Sequence, residues 1–312
     1  MKFKSIEKSY FKILKLLKEN NKLYNINFTI ENPRMNLIKQ DNINYKQLLG
    51  ELLYHLQGKD DLETITYYDE RYKDLSDNNS TINAMLGARM FFYEGLFDVY
   101  QTESINDDGD PIREFACEHI VLNQFEKCIE KLLQGERYFN ICIFNPTLDI
   151  NTKNTSEISN LVFYIENNKL NLNVNIIQQE FYNKYPYISF ILSTILCILS
   201  KKLKLECGNL TFNYTVCYIN NDIIFEEKLL YNNNNLLNNE FYNDLAFVTI
   251  FDLEILSRIQ NTLMNIEDCK NKIKSIGNEY WQSIIASLIK LNTDLNDFDN
   301  FIIEEHKQCF FN

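Results

Sequence analysis

The sequence contains little glycine, proline or histidine, with 8, 4 and 3 residues of these types among 312. So few glycines, with no glycine-rich phosphate loop, argue against a nucleotide site of the P-loop or Rossmann type. The three histidines, His55, His119 and His306, are too dispersed to form a motif. We expect each of them to lie on a helix surface or in a helix packing contact.

The chain also lacks a basic surplus and closely spaced cysteines. Its net charge of -12 disfavours a nucleic-acid partner, because phosphate binding depends on a dense basic surface, but it leaves a single small nucleotide open as a ligand. None of the eight cysteines forms a CxxC pair, and most lie in apolar runs. We therefore expect reduced core cysteines rather than disulfides or a zinc site, and we expect no metal.

No apolar run is long enough to cross a membrane. The most apolar stretch, residues 185–199, falls short of the roughly 20 residues that a bilayer requires, so it predicts a buried core helix. The first residues alternate charged and apolar side chains at helical spacing and do not resemble a signal peptide. These features predict a cytoplasmic protein with no membrane partner.

What the sequence does contain is a mixture of helical and strand-like periodicity. Helical spacing occurs over residues 8–19, 45–57 and 118–133, the last segment being closed by Gly135. Strand-like alternation occurs over 138–144 and over 25–38, where Pro33 interrupts it, and a hairpin is predicted from 161–165 and 170–177. This mixed order indicates an α+β or α/β fold.

From about residue 245 onward the pattern is almost wholly helical, with candidate helices over 250–272, 278–291 and 297–307. The asparagine-rich tract at 232–239 is expected to be a surface loop. We therefore predict a main domain over residues 1–240 and a helical C-terminal extension over 241–312 that packs on it.

Several short motifs recur in a fixed order between residues 8 and 222. The longest is GELLYHLQG, which spans residues 50–58. The others are Asn32-Pro33-Arg34, Ser76-Asp77, Leu86-Gly87-Ala88-Arg89, Asn123-Gln124-Phe125, Arg137-Tyr138, Phe144-Asn145-Pro146, and the segments 162–165, 176–180, 186–188 and 216–218. In order and spacing they resemble the thymidylate synthase family, especially the branch that contains the deoxycytidylate hydroxymethylases.

The resemblance implies an α+β fold with a large bent mixed sheet and helices on one side, here followed by the helical extension. It also implies a dimer formed by sheet-to-sheet packing, either a homodimer or a heterodimer with a family paralogue. The family's one-carbon donor is 5,10-methylenetetrahydrofolate, whereas the residues of this chain name no cofactor. The helical tail departs from the family, whose C-terminal residues close over the folate.

At the positions that carry the family's chemistry, this chain has other residues. Glu157 stands where the family has its catalytic cysteine, and a carboxylate is a poor substitute for that soft nucleophile. The phosphate ligands match Ile177, Gln178 and Tyr138, and losing two or three charge-assisted hydrogen bonds weakens phosphate binding by on the order of a hundredfold. The groups near the base and ribose match the aliphatic residues Ile188 and Val216.

Other positions keep the family's chemistry. Glu51 matches a water-organising carboxylate, Glu180 a folate-binding aspartate, and Tyr218 a sugar-binding tyrosine. Arg137 matches an arginine that the family supplies across its dimer interface, although a surface ion pair is an equal alternative. The remaining candidates for substrate binding, both in family motifs, are Arg89 and Asn145.

The resemblance places Glu51, Glu157 and Glu180 near one cleft. Neighbouring carboxylates raise one another's pKa and can act as acid and base or bind a metal; alternatively they cap helices or face solvent. We therefore expect a non-catalytic member of the family that acts through binding or assembly. The alternative is a repurposed nucleotide-modifying enzyme, a relative of the one-carbon transferases, in which Glu157, Glu51 and Glu180 replace the cysteine chemistry.

Overall fold

The computed structural model describes residues 1–38, 43–105, 111–220 and 253–264. Its strands are β1 (Lys2–Phe3), β2 (Lys22–Ile30), β3 (Tyr93–Ile105), β4 (Pro111–Leu122), β5 (Tyr138–Cys142), β6 (Ile158–Glu166), β7 (Lys169–Glu180) and β8 (Glu206–Tyr218). Six of them form one sheet in the order β1-β2-β8-β7-β6-β5, and β3 pairs with β4 in a separate hairpin. The six-stranded sheet is mixed, because β1–β2 and β7–β8 are parallel and the other pairs are antiparallel.

The described helices begin at well-defined caps. They are α1 (Ile6–Asn20), α2 (Tyr45–Leu56), α3 (Leu62–Thr66), α4 (Leu86–Phe91), α5 (Gln124–Leu133), α6 (Pro146–Asp149), α7 (Phe181–Lys202) and α8 (Leu253–Met264), with a 3-10 helix at Glu70–Leu75. The residue before α1, α2, α3, α5, α6 and α7 accepts a backbone N–H through its side chain. Such caps satisfy donors that a helix N-terminus leaves unpaired.

Helix α7 is the central element of the core. Every residue from Ser189 to Ser200 is buried, and the helix packs on β7 and β8. The rings of Phe181 and Tyr185 stack at a centroid distance of 4.4 Å, and Tyr185 meets Phe212 edge-on. The buried core helix predicted over 185–199 is confirmed. In the described part of the chain, no helix combines the length and apolar character that crossing a bilayer requires.

The long periodic segments are predicted correctly. The helices expected over 8–19 and 45–57 are α1 and α2, and the strand expected over 138–144 is β5. The predicted hairpin is β6–β7, in which Glu166 pairs with Lys169 across a turn formed by Asn167 and Asn168. Together the mixed sheet and its helices confirm an α+β arrangement.

Two predictions are wrong in part. Residues 118–122 belong to β4, and the helix begins only at Gln124, because the side chain of Asn123 caps it by accepting the N–H of Glu126. The strand expected over 25–38 lies at Lys22–Ile30 and ends before Pro33. The β3–β4 hairpin has no counterpart in the prediction.

Much of the predicted C-terminal extension lies outside the described residues. That applies to the loop at 232–239, the helices at 278–291 and 297–307, and the boundary near residue 240. The helix expected over 250–272 is described in part. The described part, α8, is helical and contacts α2. Gln260 of α8 donates from Nε2 to the hydroxyl of Tyr68 and accepts from Gln57.

The sheet has one apolar face and one polar face. Phe28, Val174 and Phe212 point into the core that α1 and α7 cover. On the opposite face, an asparagine ladder crosses five strands, with each amide donating to the next: Asn27 to Asn213, Asn213 to Asn175 (2.9 Å), Asn175 to Asn160 (3.0 Å) and Asn160 to Asn140 (2.5 Å). The asparagine side chains of the ladder therefore satisfy many of their hydrogen-bonding groups through one another.

The β6–β7 turn gives a direct test of local backbone preference. Asn167 and Asn168 have φ of 50° and 59°, a left-handed conformation that asparagine and glycine tolerate and β-branched residues do not. We expect Asn168→Val to lower the free energy of unfolding by about 1 to 2 kcal/mol in urea titrations. Asn168→Gly, the matched control, should change it by a few tenths at most. Equal losses in both variants would contradict the assignment to backbone strain.

Candidate functional site

A cavity of about 350 Å³ lies where the ends of β6, β7 and β8 meet α2, α7 and the 3-10 helix. Glu51 of α2, Glu157 just before β6, Glu180 at the end of β7 and Tyr218 at the end of β8 all line it. The volume falls within the range of small-molecule pockets. The structure thus brings together four of the residues selected from the sequence.

One face of α2 supplies three polar side chains to this cavity, Gln47, Glu51 and His55, at successive spacings of four residues. Glu51 is only 3% exposed, and its Oε1 accepts a hydrogen bond of 2.8 Å from Nε2 of Gln47. No described residue hydrogen-bonds to its Oε2. Burial raises the pKa of Glu51 to about 7, so this carboxyl exchanges its proton near neutral pH.

His55 is a cavity residue that the sequence analysis assigned to packing. Its Nδ1 accepts the backbone N–H of Gly87 at 3.2 Å, so the proton of the neutral ring resides on Nε2. Burial lowers the pKa of His55 to about 4, which keeps the ring neutral at pH 7. Gly87 is required here, because a Cβ would lie 2.1 Å from the carbonyl oxygen of His55. In the sequence, the signal that His55 lies at the same site as Glu51 was their spacing of four residues on a predicted helix.

Glu157, which the motifs match to the family's catalytic cysteine, is held by an ion pair. Its Oε1 accepts from Nζ of Lys184 at 2.5 Å, and its Oε2 accepts from Nε2 of Gln179 at 3.2 Å. Gln179 is itself held by the hydroxyl of Tyr214 at 3.1 Å. No cysteine is among the described residues that line the cavity.

Glu180 is a helix cap. Its Oε1 accepts from the backbone N–H of Tyr182 at 3.0 Å, and its Oε2 accepts from that of Asn183 at 2.9 Å. The positive end of the α7 dipole adds to this stabilisation. The sequence left two roles open for the three glutamates, either acid–base or metal chemistry, or helix capping or exposure to solvent. Glu180 has the capping role.

The second cation at the cavity is also paired. Arg71 donates from Nε to Oδ1 of Asp69 at 2.9 Å and from Nη2 to Oδ2 at 2.7 Å, a bidentate contact. Burial alone would raise the pKa of Asp69, but the hydrogen bonds from Arg71 outweigh it and lower that pKa. Both cationic side chains at this cavity, Lys184 and Arg71, are thus neutralised by carboxylates.

Arg89 and Asn145 lie in a separate polar network around the fully buried Asp149. Nη2 of Arg89 donates to Asp149 at 2.6 Å, and the backbone N–H of Asn145 donates to it at 2.8 Å. The side chain of Asn145 caps α6 by accepting the N–H of Thr147. Neither residue is among those that line the cavity, so this structure gives them contacts that stabilise the fold.

The remaining predicted positions have different surroundings. Arg137 is exposed outside the cavity lining, and its predicted role requires a second chain. Ile177 and Tyr138 are also exposed, with 44% and 68% of their surface accessible. Ile188 lines the cavity beside Ile191, and they form part of its apolar wall. Within the described ranges, no cluster of three or more His, Cys, Asp or Glu side chains is arranged to hold a metal ion.

No family model and no curated protein matches the chain. Its relation to the thymidylate synthases therefore stays a prediction from the order and spacing of short motifs. The site is accordingly interpreted from its own geometry below.

The raised pKa of Glu51 predicts how stability depends on pH. The folded state binds a proton at Glu51 up to about pH 7, whereas the unfolded chain releases it near 4.5, so this carboxyl destabilises the fold as the pH rises between those values. The loss should reach about 3 kcal/mol above pH 7. Glu51→Gln removes the titration, so its stability relative to the wild type should rise across that window in urea unfolding at pH 4 to 8.

The matched control is Glu126→Gln, which removes an exposed carboxylate in the first turn of α5. Its stability difference from the wild type should stay nearly constant over the same pH range. If the stability difference between Glu51→Gln and the wild type is also independent of pH, the folded protein does not shift the pKa of Glu51.

Proposed function

We propose that this chain has a thymidylate synthase-like fold without the transferase chemistry and serves as a binding or assembly subunit. Its cavity takes a small ligand that carries no phosphate. The observation that carries the proposal is the pairing of charges in the cavity: Glu157, which the motifs match to the family's nucleophile, forms an ion pair with Lys184, and Arg71 is paired with Asp69.

The ion pair of Glu157 argues against covalent catalysis. Attack on a pyrimidine ring requires a polarisable nucleophile that remains bonded long enough for the next step, and a carboxylate is a weak nucleophile and a good leaving group. Lys184 further lowers the nucleophilicity of Glu157 by neutralising it. A folate-dependent transfer of the family's kind therefore has no initiating group among the described residues that line the cavity.

The paired cations argue against a phosphate ligand. A phosphate would have to take Arg71 from Asp69 or Lys184 from Glu157, which would leave a carboxylate unpaired beside the incoming negative charge. Glu51 and Glu180 lie on the same cavity and add to that repulsion. A nucleoside-sized neutral ligand avoids this cost.

The arrangement of the cavity supports the family assignment. The resemblance places Glu51, Glu157 and Glu180 near one cleft and matches Tyr218 to the family's sugar-binding tyrosine. These four residues come from α2, β7, β8 and the segment before β6, and they line one cavity at the edge of a six-stranded mixed sheet. Convergence of four positions far apart in the chain is the geometry that the motifs anticipate.

The polar sheet face supports the assembly part of the proposal. Its central rows contain asparagine, threonine and valine without a charged side chain, as at Thr29, Thr211, Asn173 and Val162. Because the asparagine ladder already satisfies many of its own amides, covering this face costs less than covering unpaired polar groups. We propose that a second family chain, a copy of this one or a paralogue, packs there and that Arg137 reaches the partner's cavity.

Ligand binding is tested by thermal denaturation and calorimetry with deoxyuridine and deoxycytidine beside their 5'-monophosphates and 5,10-methylenetetrahydrofolate. A nucleoside at a hundred times its Kd should stabilise the protein by about 2.7 kcal/mol, whereas the monophosphates and the folate should give no shift. Ile188→Trp, which fills the cavity, should abolish the nucleoside shift.

A monophosphate that binds more tightly than its nucleoside would contradict the phosphate-free cavity. Tritium release from 5-tritiated deoxyuridylate or deoxycytidylate by the pure protein would contradict the loss of transferase chemistry. The Ile188→Trp protein is the blank for both assays.

The assembly surface is tested with Asn175→Glu, which places a charge in the centre of the asparagine ladder. In a two-fold dimer this variant also brings two like charges close together, so the dimer dissociation constant should rise at least tenfold in analytical ultracentrifugation. Asn151→Glu adds the same charge at an exposed site away from the sheet and should leave association unchanged. A monomeric wild-type protein at all concentrations, with no paralogue bound, would refute this part of the proposal.

A second candidate function is a repurposed enzyme that uses Glu51, Glu157 and Glu180. The observation in its favour is that all three line one cavity and that Glu51 holds a proton near neutral pH. Turnover of a nucleoside or nucleotide that is lost in Glu51→Gln and retained in Glu126→Gln would establish it over the binding subunit.

A further inference from the structure

Two buried polar groups of α2 retain unused hydrogen-bonding capacity at the cavity. We propose that Glu51 and His55, here named the α2 clamp, recognise an amide-type edge, a C=O beside an N–H, on a neutral cyclic ligand. The inference rests on the proposed phosphate-free cavity and adds the chemical class of its ligand. Glu51 in its ionised form would accept the ligand's N–H, and His55 would donate to its C=O.

The two groups are complementary and close together. Nδ1 of His55 is occupied by Gly87, so Nε2 carries the proton and is a donor without a partner among the described residues. Oε1 of Glu51 is occupied by Gln47, and no described residue donates to Oε2. Side chains four residues apart on a helix are neighbours, with about 5 to 6 Å between their Cβ atoms. A donor and an acceptor are thus carried at neighbouring positions of α2, and both residues line the cavity.

Both groups are held in place by the protein. The contact with Gly87 fixes the tautomer and ring position of His55, while Gln47 anchors one carboxylate oxygen of Glu51. The two side chains are only 6% and 3% exposed. A ligand therefore meets groups that have already lost their conformational freedom, which lowers the entropic cost of binding.

The rest of the lining suits a compact ring. Ile143, Ile158, Ile188 and Ile191 supply apolar surface, and Tyr72 adds an aromatic side chain. Pockets of this kind combine a mostly apolar wall with a few placed polar groups that set orientation. A cyclic amide or ureide presents apolar faces to such a wall and its polar edge to the α2 clamp.

A cationic amine is a poorer match. It would satisfy Glu51 but would direct its own N–H donors at Nε2 of His55, which is also a donor. The neutral edge with one acceptor and one donor uses both members of the α2 clamp.

The test measures calorimetric affinities of the full chain at about pH 8, where Glu51 is mostly ionised, for uracil and hydantoin, and for 1,3-dimethyluracil, which lacks the N–H groups. We expect uracil and hydantoin to bind at least tenfold more tightly than the dimethyl compound. Glu51→Leu and His55→Phe should each bring this ratio close to one, because each removes half of the recognition. Glu51→Gln and His55→Gln keep an acceptor and a donor and should restore part of it.

The controls separate this inference from the proposed function. Gln134→Ala, an exposed change on α5, should keep the wild-type ratio. If His55→Phe fails to fold because Gly87 loses its acceptor, the pair Glu51→Leu and His55→Gln carries the test. Binding of butylammonium or of a nucleoside without any preference for the unmethylated ureides would overturn the α2 clamp and leave the phosphate-free cavity standing. Binding of only a 5'-monophosphate, or of no probe, would overturn both.

Discussion

The packing of α7 against β7 and β8 is the constraint on which the rest of the structure depends. Because its second half is buried on every side, the helix has one place in the fold, and the edge-on contact of Tyr185 with Phe212 of β8 fixes its rotation. Glu180, the last residue of β7, caps it, so sheet and helix meet without a loop. This junction places Lys184 over the strand ends and thereby creates one wall of the cavity.

The electrostatics of the cavity follow from that junction. Lys184 reaches Glu157 because it lies one turn into α7, and both side chains line the cavity. Asp69 and Arg71 form a second closed pair at the same cavity. A cavity whose cations are neutralised in this way selects ligands by hydrogen bonding and shape. Glu51 is buried and forms no ion pair with a described residue, so its ionisation responds to the ligand that enters.

Long periodic segments were the predictable part of this fold. The apolar spacing of α1, α2 and α7 and the alternation of β5 to β7 depend mainly on which face is buried, and that is visible in the sequence. The β3–β4 hairpin was missed because its pattern competes with helical spacing, and the cap at Asn123 decides where the helix begins. In the site, motif order located Glu51, Glu157, Glu180 and Tyr218, but no sequence pattern shows that Gly87 fixes the ring of His55.

The two residues of the α2 clamp are ionisable groups buried in a core helix. A core helix that buries a carboxyl and an imidazole forgoes the stability that leucine or phenylalanine would supply at the same positions. Here the burial is accompanied by specific support: Gln47 anchors the carboxyl, and Gly87 approaches so closely that no other residue fits. Proteins tolerate such local conflict mainly where a function requires it, and for this reason we propose the cavity beside α2 as the binding site.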